Sequence, residues 1–343
     1  MSRCRSFETM VERRWPVLVT RRLPAPAMDA ITMRCDADVW EEEGAIPREE
    51  LLRRIAGTPG AVTLLTEKVD AEFLDAAGPN LMIVANYAVG FDNIDVEECT
   101  RRGVMATNTP EVLTDTTADT AWALLMATGR RIAEGDRFLR SRRPWIWGPE
   151  MMLGQDVHHK VLGIVGFGRI GQAVARRSRG FGMQVIYYDA YRPPPEVERE
   201  VGAEFRDLDD LLAEADFISV HVALTPEARH MFGVEQFRRM KPTAVIVNTS
   251  RGPVIDEAAL AEALRGGEIF AAGLDVFEKE PEVHPGLLEQ DNAVVIPHLG
   301  SATVDTRNAM GMLAAENLIA GLEGRRPPTL LNPEAWEQRA ARG

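Results

Sequence analysis

The sequence has few cysteines and no long apolar run. Three cysteines occur among 343 residues, at Cys4, Cys35 and Cys99, and their spacing fits neither a disulfide framework nor a metal site. We interpret this scarcity as typical of a cytoplasmic protein with free thiols and no metal centre. The apolar runs are all shorter than the roughly 18 residues that a membrane span requires. Residues 1–15 contain several arginines but no apolar stretch, so we predict a disordered lead-in rather than a secretory signal.

Basic residues are also scarce relative to acidic ones. The formal net charge of -13 argues against nucleic acid or an anionic membrane as the main partner. The net charge does not argue against a small anionic substrate, because one arginine close to the substrate can outweigh the electrostatic field of the whole chain. The length of 343 residues predicts about two domains, and the 45% hydrophobic content is sufficient for a sizeable core.

Short apolar runs alternate with polar, helix-like segments in the first part of the chain. The predicted strands are VLVT (17–20), AVTLLT (61–66), LMIVAN (81–86) and VMATN (104–108). Segments such as 47–57 and 93–103 have the composition of crossover helices. This alternation predicts a parallel α/β sheet.

A different pattern begins at residue 114. Helical spacing of the apolar residues continues from 114 to 140, after a start that is rich in threonine and aspartate. We therefore expect one long helix here, which either joins two bodies or packs against a partner subunit.

Six further strands are predicted after this helix. They are VLGIVG (161–166), QVIYYD (184–189), FISVHV (217–222), AVIVN (244–248), FAAGLDV (270–276) and AVVIP (293–297). Six parallel strands with crossovers are the number in a complete dinucleotide-binding sheet. The helical tail, 299–320, is expected to return to the first domain. We therefore predict a nucleotide-binding domain over 114–298, inserted into a substrate-binding domain over 16–113 and 299–332.

A glycine-rich loop joins the first of these strands to a helix. VLGIVGFGRIGQAVA places Gly166, Gly168 and Gly171 at the G-x-G-x-x-G spacing. The three glycines permit, in turn, a tight turn, close approach of backbone to a pyrophosphate, and packing of helix on strand. Asp189 ends the next strand, where a carboxylate binds the ribose hydroxyls and favours NAD over NADP. Arg192 leaves that choice open, since an arginine there is able to pair with a 2′-phosphate.

Each of the last three predicted strands ends near a residue whose side chain is able to take part in catalysis. Arg251 follows the strand AVIVN, and His298 follows AVVIP. Asp275 lies near the end of FAAGLDV, and Glu280 lies a few residues after it. In an open parallel sheet, ligands bind outside the carboxyl ends of the strands. These residues are therefore expected at the sheet edge that also carries the glycine loop.

Arginine, glutamate and histidine together suit the reduction of a 2-keto acid. A protonated histidine supplies the proton for the carbonyl oxygen. A glutamate bonded to the other ring nitrogen fixes the tautomer and favours the charged form. An arginine fork holds the substrate carboxylate and polarises the carbonyl. The residues thus predict His298 as general acid, Glu280 as its partner and Arg251 as the substrate anchor.

Several motifs match one family over residues 16 to 332. They are VGFDNID, NTPEVLTDTTAD, LGIVGFGRIGQAVARR, MKPTAVIVNTSRG, AAGLDVFEKEP and PHLGSAT. On these motifs the chain resembles the D-isomer-specific 2-hydroxyacid dehydrogenases, and among them most the glyoxylate/hydroxypyruvate reductases. The resemblance implies a six-stranded Rossmann domain inserted into a flavodoxin-like domain, an active site in the cleft between them, and a homodimer.

The resemblance also implies roles for individual residues. Arg251, Glu280 and His298 become the catalytic set, and the backbone N–H groups of Val89 and Gly90 receive the substrate carboxylate. The implied cofactor contacts, to NAD or NADP, are Gly166, Gly168, Arg169, Ile170, Gly171, Asp189, Thr249, Asp275 and Gly300.

The segment RRPWIWGPEMMLG supports the narrower likeness to glyoxylate/hydroxypyruvate reductases. In those enzymes a tryptophan of this linker reaches the partner subunit's active site, and Trp147 matches it best. Trp145 lies one residue closer to it than is usual. Ala223 is a second departure, since the family has proline there.

Other functions share these motifs. A D-3-phosphoglycerate or D-lactate dehydrogenase of the same family stays an alternative. A corepressor-like module that binds NAD without efficient turnover is a second, because such relatives retain the catalytic residues. An L-lactate-type enzyme fits poorly, since its glycine loop lies near the N-terminus, whereas here more than 160 residues precede Gly166.

Overall fold

The computed structural model describes residues 14–341 and contains two compact units. One unit combines the chain up to Val112 with the chain from Val304, and the other is Leu113–Thr303. The sequence analysis placed these divisions at 113/114 and 298/299. Most of the predicted lead-in, residues 1–13, lies outside the described residues. Trp15, which was assigned to that lead-in, is instead the first residue of a strand.

In chain order, the elements are β1 (Trp15–Val19), α1 (Ala25–Arg34), β2 (Cys35–Val39), α2 (Arg48–Ile55), β3 (Gly60–Thr63), α3 (Ala71–Ala77), β4 (Ile83–Asn86), α4 (Val96–Arg102), β5 (Met105–Thr107), α5 (Thr114–Gly129), α6 (Ile132–Arg140), β6 (Val161–Val165), α7 (Arg169–Arg177), β7 (Gln184–Tyr188), α8 (Pro195–Val201), β8 (Ala203–Phe205), α9 (Leu208–Glu214), β9 (Phe217–Val220), α10 (Val234–Arg239), β10 (Val245–Asn248), α11 (Glu257–Gly266), β11 (Ala271–Leu274), α12 (Pro285–Leu288), β12 (Ala293–Val295), α13 (Val304–Leu322) and α14 (Pro333–Ala340). Short 3-10 helices cover Ser178–Phe181 and Gly252–Val254.

The discontinuous unit contains a five-stranded parallel sheet in the order β2-β1-β3-β4-β5. This is the flavodoxin-like strand order. The sequence predicted four of its strands and missed β2, whose sequence CDADV is too polar to stand out as an apolar run. Polarity is tolerated there because β2 lies at the sheet edge and pairs with β1 alone.

Side-chain caps define two of the crossover helices in this unit. Asp70 accepts a hydrogen bond from the backbone of Phe73 at the start of α3, and Asp95 does the same for Glu98 at the start of α4. Each cap satisfies one of the N–H groups that a helix start leaves without an acceptor. Gly103 ends α4 in the left-handed conformation, at φ 70°.

The continuous unit contains a seven-stranded parallel sheet in the order β12-β11-β10-β9-β6-β7-β8. The fold class is therefore as predicted, but the strand number of six was wrong. The additional strand, β8, has only three residues and lies at the sheet edge. Strand order reverses between β6 and β9, so the loops after these two strands flank the topological switch point. A doubly wound sheet binds its ligand at that point.

The predicted single helix over 114–140 was wrong. Two helices, α5 and α6, occupy this segment, and the break lies at Arg130 and Arg131. Arg131 is left-handed, with φ 54°, and its guanidinium bonds both carboxylate oxygens of Glu134 at 2.7 and 2.6 Å. Gly129 ends α5 against Phe217, whose ring would lie 2.8 Å from a Cβ at that position. No helix within residues 14–341 is both long and apolar enough to cross a membrane.

Candidate active site

Three adjacent strands, β10, β11 and β12, end at one edge of the seven-stranded sheet. Arg251 lies in the segment that follows β10, Asp275 directly follows β11, and His298 lies shortly after β12. Glu280 belongs to the same connection as Asp275. Parallel pairing brings these four sequence-distant residues to the same side of the unit.

His298 and Glu280 form a direct pair. The His298 Nδ1 atom lies 2.9 Å from Glu280 Oε2, and the two side chains are 33% and 37% exposed. The other carboxylate oxygen accepts the N–H of Phe277 at 3.0 Å. Burial alone raises the pKa of Glu280, but His298, the Phe277 N–H and the charge of Arg251 together lower it below its usual value. The carboxylate is therefore ionised at neutral pH and holds His298 by Nδ1, which leaves Nε2 for a ligand.

The backbone of His298 is in the left-handed conformation, with φ 52°. Its N–H donates to the carbonyl of Asp275 at 2.9 Å. The Asp275 carboxylate accepts the N–H groups of the two residues that follow the histidine, Leu299 and Gly300, the latter at 2.8 Å. Burial raises the pKa of Asp275 despite these bonds and the charge of His298. Asp275 thus fixes the loop that carries the histidine; the predicted nicotinamide contact of Asp275 and the cofactor contact of Gly300 stay predictions.

The segment that carries Arg251 is held by Asn248, a residue that the sequence analysis did not select. Asn248 Nδ2 donates to the carbonyl of Arg251 at 2.9 Å, and Asn248 Oδ1 accepts the N–H of Ser250 at 2.9 Å. Arg251 Nη1 in turn donates to the Ser250 carbonyl at 2.9 Å. The sequence marks Asn248 only as a polar residue that ends an apolar strand, in VIVN, and does not show which groups its side chain binds.

A second missed residue, Glu257, braces the segment that contains Glu280. Its buried carboxylate accepts the N–H of Glu278 on one side and the N–H of His284, at 3.0 Å, on the other. Glu278 reciprocates by accepting the N–H of Glu257 at 3.0 Å. The segment from Glu278 to His284 is therefore tied at both ends to the start of α11, with Glu280 between the ties.

The glycine loop has the geometry that a dinucleotide pyrophosphate requires. Gly166 has φ 95°, and a Cβ there would lie 2.6 Å from the backbone of His221 and Val222. A Cβ on Gly171 would lie 2.1 Å from the Gly166 carbonyl oxygen, whereas one on Gly168 would meet no atom within 4 Å. The loop is thus closed towards the protein and open on the ligand side.

The helix that follows the loop, α7, begins at Arg169 without a side-chain cap, because its N-cap is Gly168. The first N–H groups of a helix have no intrahelical acceptor, and they attract an anion. The N–H groups of Arg169 and Ile170 belong to this first turn. The residues present fit a dinucleotide, although the individual contacts assigned to them stay predictions.

Asp189 lies beside the glycine loop. Its Oδ2 accepts the N–H of Phe167 at 2.6 Å, and its Oδ1 accepts the N–H of Tyr191 at 2.9 Å. The carboxylate therefore lies beside the loop, next to the second glycine, and its contact with the ribose stays a prediction. Arg192, the residue that left the cofactor choice open, pairs instead with Glu198 at 2.7 Å.

His221 follows β9 and Thr249 follows β10, on the other side of the switch point from the glycine loop. His221 Nε2 is 2.8 Å from the Ser219 hydroxyl, and its Nδ1 is 3.5 Å from the hydroxyl of Thr249. Burial lowers the pKa of His221 to about 3, so this ring is neutral. His221 is therefore no proton donor at neutral pH, and the cofactor contact of Thr249 stays a prediction.

In the discontinuous unit, Val89 and Gly90 lie in the loop after β4. The carbonyl of Val89 accepts from Asn108 Nδ2 at 2.8 Å, and that of Gly90 accepts from Asn86 Nδ2 at 3.0 Å. Both asparagines are buried, and the sequence analysis missed both. They fix the orientation of the two peptide groups; the substrate role of Val89 and Gly90 stays a prediction.

Trp147 lies in a stretch of the continuous unit that forms neither helix nor strand. Its side chain is 76% exposed, and its neighbour Ile146 is 91% exposed. Within residues 14–341 of this one chain, it is therefore not part of a packed site.

Comparison with known proteins places this site in a family. A family model described as D-isomer specific 2-hydroxyacid dehydrogenase, NAD binding domain, matches residues 122–300. The glyoxylate reductase of Thermococcus kodakarensis is 53% identical over 94% of this chain and 98% of its own.

Solved structures of proteins with the same fold include reductases of the same kind. A glyoxylate reductase from Paecilomyes thermophila is 33% identical, with a TM-score of 0.83 over 94% of this chain and 99% of its own. The NADPH-dependent glyoxylate/hydroxypyruvate reductase from Sinorhizobium meliloti, in complex with NADP and malonate, is 31% identical, with a TM-score of 0.80 over 94% of this chain and 98% of its own.

The fold and the site together define an oxidoreductase with an NAD-binding domain of the Rossmann type. The chain belongs to the D-isomer specific 2-hydroxyacid dehydrogenase family, which confirms the family predicted from its motifs.

Proposed function

We propose that this protein reduces a small 2-keto acid, glyoxylate or hydroxypyruvate, with NADH or NADPH. The product is the 2-hydroxy acid, of D configuration where it is chiral. The pair of His298 and Glu280, 2.9 Å apart at the sheet edge that carries the glycine loop, is the observation on which this proposal rests. Relatives named glyoxylate reductase, about half identical in sequence, support the choice of substrate.

In this reaction His298 donates a proton from Nε2 to the carbonyl oxygen of the substrate. Glu280 accepts from Nδ1 and stabilises the protonated ring before the transfer. Arg251 binds the substrate carboxylate and polarises the carbonyl. The reduced nicotinamide, when bound, supplies the hydride to the carbonyl carbon. We further propose that the N–H groups of Val89 and Gly90 bind the substrate carboxylate.

Absorbance of the reduced nicotinamide tests the proposal directly. Glyoxylate and hydroxypyruvate are each assayed with NADH and with NADPH. Rapid oxidation with either keto acid supports the reductase. If neither keto acid is reduced but pyruvate or a phosphorylated keto acid is, the substrate assignment is wrong within the same chemistry. Tight binding of NADH without turnover of any keto acid favours the corepressor-like alternative.

Glu280→Gln is expected to lower kcat for keto-acid reduction by about a hundredfold. The single amide oxygen of glutamine is able to accept the Phe277 N–H that Glu280 accepts at 3.0 Å, and the amide NH2 group then faces His298 Nδ1. A donor at Nδ1 replaces the acceptor that the doubly protonated ring needs there. Glu282→Gln removes the same charge from the same segment and serves as the control. Wild-type kcat in Glu280→Gln contradicts the assignment of Glu280.

Asp189→Asn is expected to weaken the preference for NADH. The single oxygen of asparagine is able to accept the Phe167 N–H that Asp189 accepts at 2.6 Å, which keeps the bond to the glycine loop, whereas the bond to the Tyr191 N–H is lost. The variant loses the negative charge that repels a 2′-phosphate and accepts from the ribose hydroxyls. We expect the ratio of kcat/KM for NADH to that for NADPH to fall by about tenfold. An unchanged ratio means that Asp189 does not contact the ribose.

We infer that the protein forms a homodimer through α6 and the segment that follows it. No residue of α6 is buried. Ile132 and Leu139 on this helix are exposed, and so are Trp145, Ile146 and Trp147 beyond it. Monomers seldom expose so many neighbouring large apolar side chains. Trp147 is then the residue proposed to reach the partner's substrate.

Light scattering after gel filtration tests this dimer. Twice the chain mass is expected for wild type, and the double variant Ile146→Asp, Trp147→Asp is expected to run as a monomer. Met33→Asp, which changes an exposed apolar residue of the other unit, is the control. A monomeric wild type contradicts the inference.

A cytoplasmic location stays a prediction from cysteine usage; Cys35 and Cys99 are free thiols.

A further inference from the structure

The guanidinium group of Arg192 is occupied on two sides. Its Nε donates to Glu198 Oε1 at 2.7 Å, and its Nη2 donates to Glu198 Oε2 at 3.2 Å. The carbon of the guanidinium lies 5.2 Å from the centre of the Phe205 ring. A bidentate carboxylate and a cation–π contact thus hold the same group.

Glu198 is the fixed member of this pair. Its side chain is 14% exposed, whereas that of Arg192 is 60% exposed. The hydroxyl of the buried Tyr187 also donates to Glu198, and the Tyr187 ring stacks on Phe167 of the glycine loop at 4.1 Å. The bond to Arg192, followed by that to Tyr187, lowers the pKa of Glu198, so the carboxylate is ionised at neutral pH.

The sheet order shows to which side the arginine is drawn. Strand β7, which leads to Asp189 and Arg192, lies between β6 and β8. Asp189 bonds the glycine loop on the β6 side, through Phe167, whereas Arg192 lies over Phe205, the last residue of β8. A 2′-phosphate on the ribose at Asp189 therefore meets the carboxylate of Asp189, while the arginine three residues further on is already paired with Glu198.

We propose that Glu198 determines the cofactor preference by holding Arg192 in an ion pair and so withholding it from the 2′-phosphate of NADPH. The inference rests on the proposed NAD(P)H-dependent function and adds the residue that sets its specificity. Glu198 touches no reacting atom in this account, so it is a specificity-determining residue that acts through Arg192.

The test compares KM and kcat for both cofactors in Glu198→Gln, Arg192→Ala and the double variant. Glu198→Gln frees Arg192, and we expect KM for NADPH to fall by about tenfold while KM for NADH stays within about twofold. In the Arg192→Ala background, Glu198→Gln is expected to have no effect on KM for NADPH. Arg192→Ala alone is expected to leave KM for NADPH within about twofold, because the paired arginine does not contact the phosphate.

Glu196→Gln is the matched control. Glu196 lies on the same helix, α8, and pairs with Arg199 at 2.8 Å instead of Arg192. Because its removal changes the net charge equally, it separates a local effect from a general one. Equal gains in NADPH use for Glu196→Gln and Glu198→Gln overturn the proposal. So does a tenfold loss in Arg192→Ala, since the arginine would then already bind the phosphate in the wild type.

Binding measured by nicotinamide fluorescence separates this inference from the proposed function. Titration with NADH and NADPH needs no substrate and no turnover. If NADH does not bind the wild type, the proposed function fails. If NADH binds and Glu198→Gln leaves the affinity for NADPH unchanged, the role of Glu198 fails while the function stands. If Glu198→Gln does not fold, Glu198→Ala, which also removes the partner of Arg192, is titrated in its place, and an unchanged affinity for NADPH overturns the proposal.

Discussion

Replacement of His298 by asparagine is expected to lower kcat for keto-acid reduction by about a thousandfold, while the affinity for NADH stays within about twofold. Asparagine cannot supply the proton, but it tolerates the left-handed backbone that His298 adopts at φ 52°. The bonds that fix this loop join Asp275 to backbone N–H groups, so they persist in the variant. The loss is therefore chemical rather than structural.

Steady-state kinetics and NADH fluorescence titration together measure the effect. His230→Asn is the matched control, because His230 also has a left-handed backbone, at φ 51°, and also pairs with a carboxylate, that of Glu278 at 3.0 Å. We expect near-wild-type turnover in that control. Turnover within tenfold of wild type in His298→Asn rules out His298 as the general acid.

The second large effect is expected from Gly252→Ala. A Cβ on Gly252 would lie 1.9 Å from the carbonyl carbon and 2.0 Å from the carbonyl oxygen of Phe277. These are backbone atoms, so the segment from Phe277 towards Glu280 must move away from Arg251. A displacement of about 1 Å at a catalytic group costs about a hundredfold in rate, and we expect at least that loss in kcat. Overpacking also lowers the free energy of unfolding by about 1–3 kcal/mol.

Kinetics at a temperature where the variant stays folded, with a thermal melt alongside, test this expectation. Gly266→Ala is the control, since a Cβ at the end of α11 would meet no atom closer than 4.0 Å, that of the Glu268 side chain. If Gly252→Ala retains wild-type kcat, the close approach of the two segments is not needed for catalysis.

The strand-end residues were predictable because parallel sheets obey a simple rule. Apolar runs mark the strands, and whatever follows each strand lies at one edge, so Arg251, Asp275 and His298 were identified without any contact being known. The glycine spacing and the acid at Asp189 follow from equally local signals.

The supporting residues were not predictable in this way. Asn248 and Glu257 act through bonds to backbone groups of other segments, and such bonds leave no periodic pattern in the sequence. The close approach of the Phe277 backbone to Gly252, which leaves no room for a Cβ, is likewise not visible in the sequence. Strands β2 and β8 were not predicted for a different reason: both lie at the edge of a sheet, where a strand does not need an apolar run. The break at Arg130 and Arg131 directly follows Gly129, a poor helix former, but the helical spacing of the apolar residues continues past it, and the packing of Gly129 against Phe217 is not visible in the sequence.

The left-handed backbone at His298 has an evolutionary consequence. Among residues with a Cβ, asparagine and aspartate are the side chains that this conformation accepts most readily. Codons for both differ from a histidine codon by a single base. A descendant that has lost the proton donor but kept its fold and its nucleotide loop is therefore one point mutation away. A dinucleotide-responsive binding protein can thus arise from this dehydrogenase without passing through an unfolded intermediate.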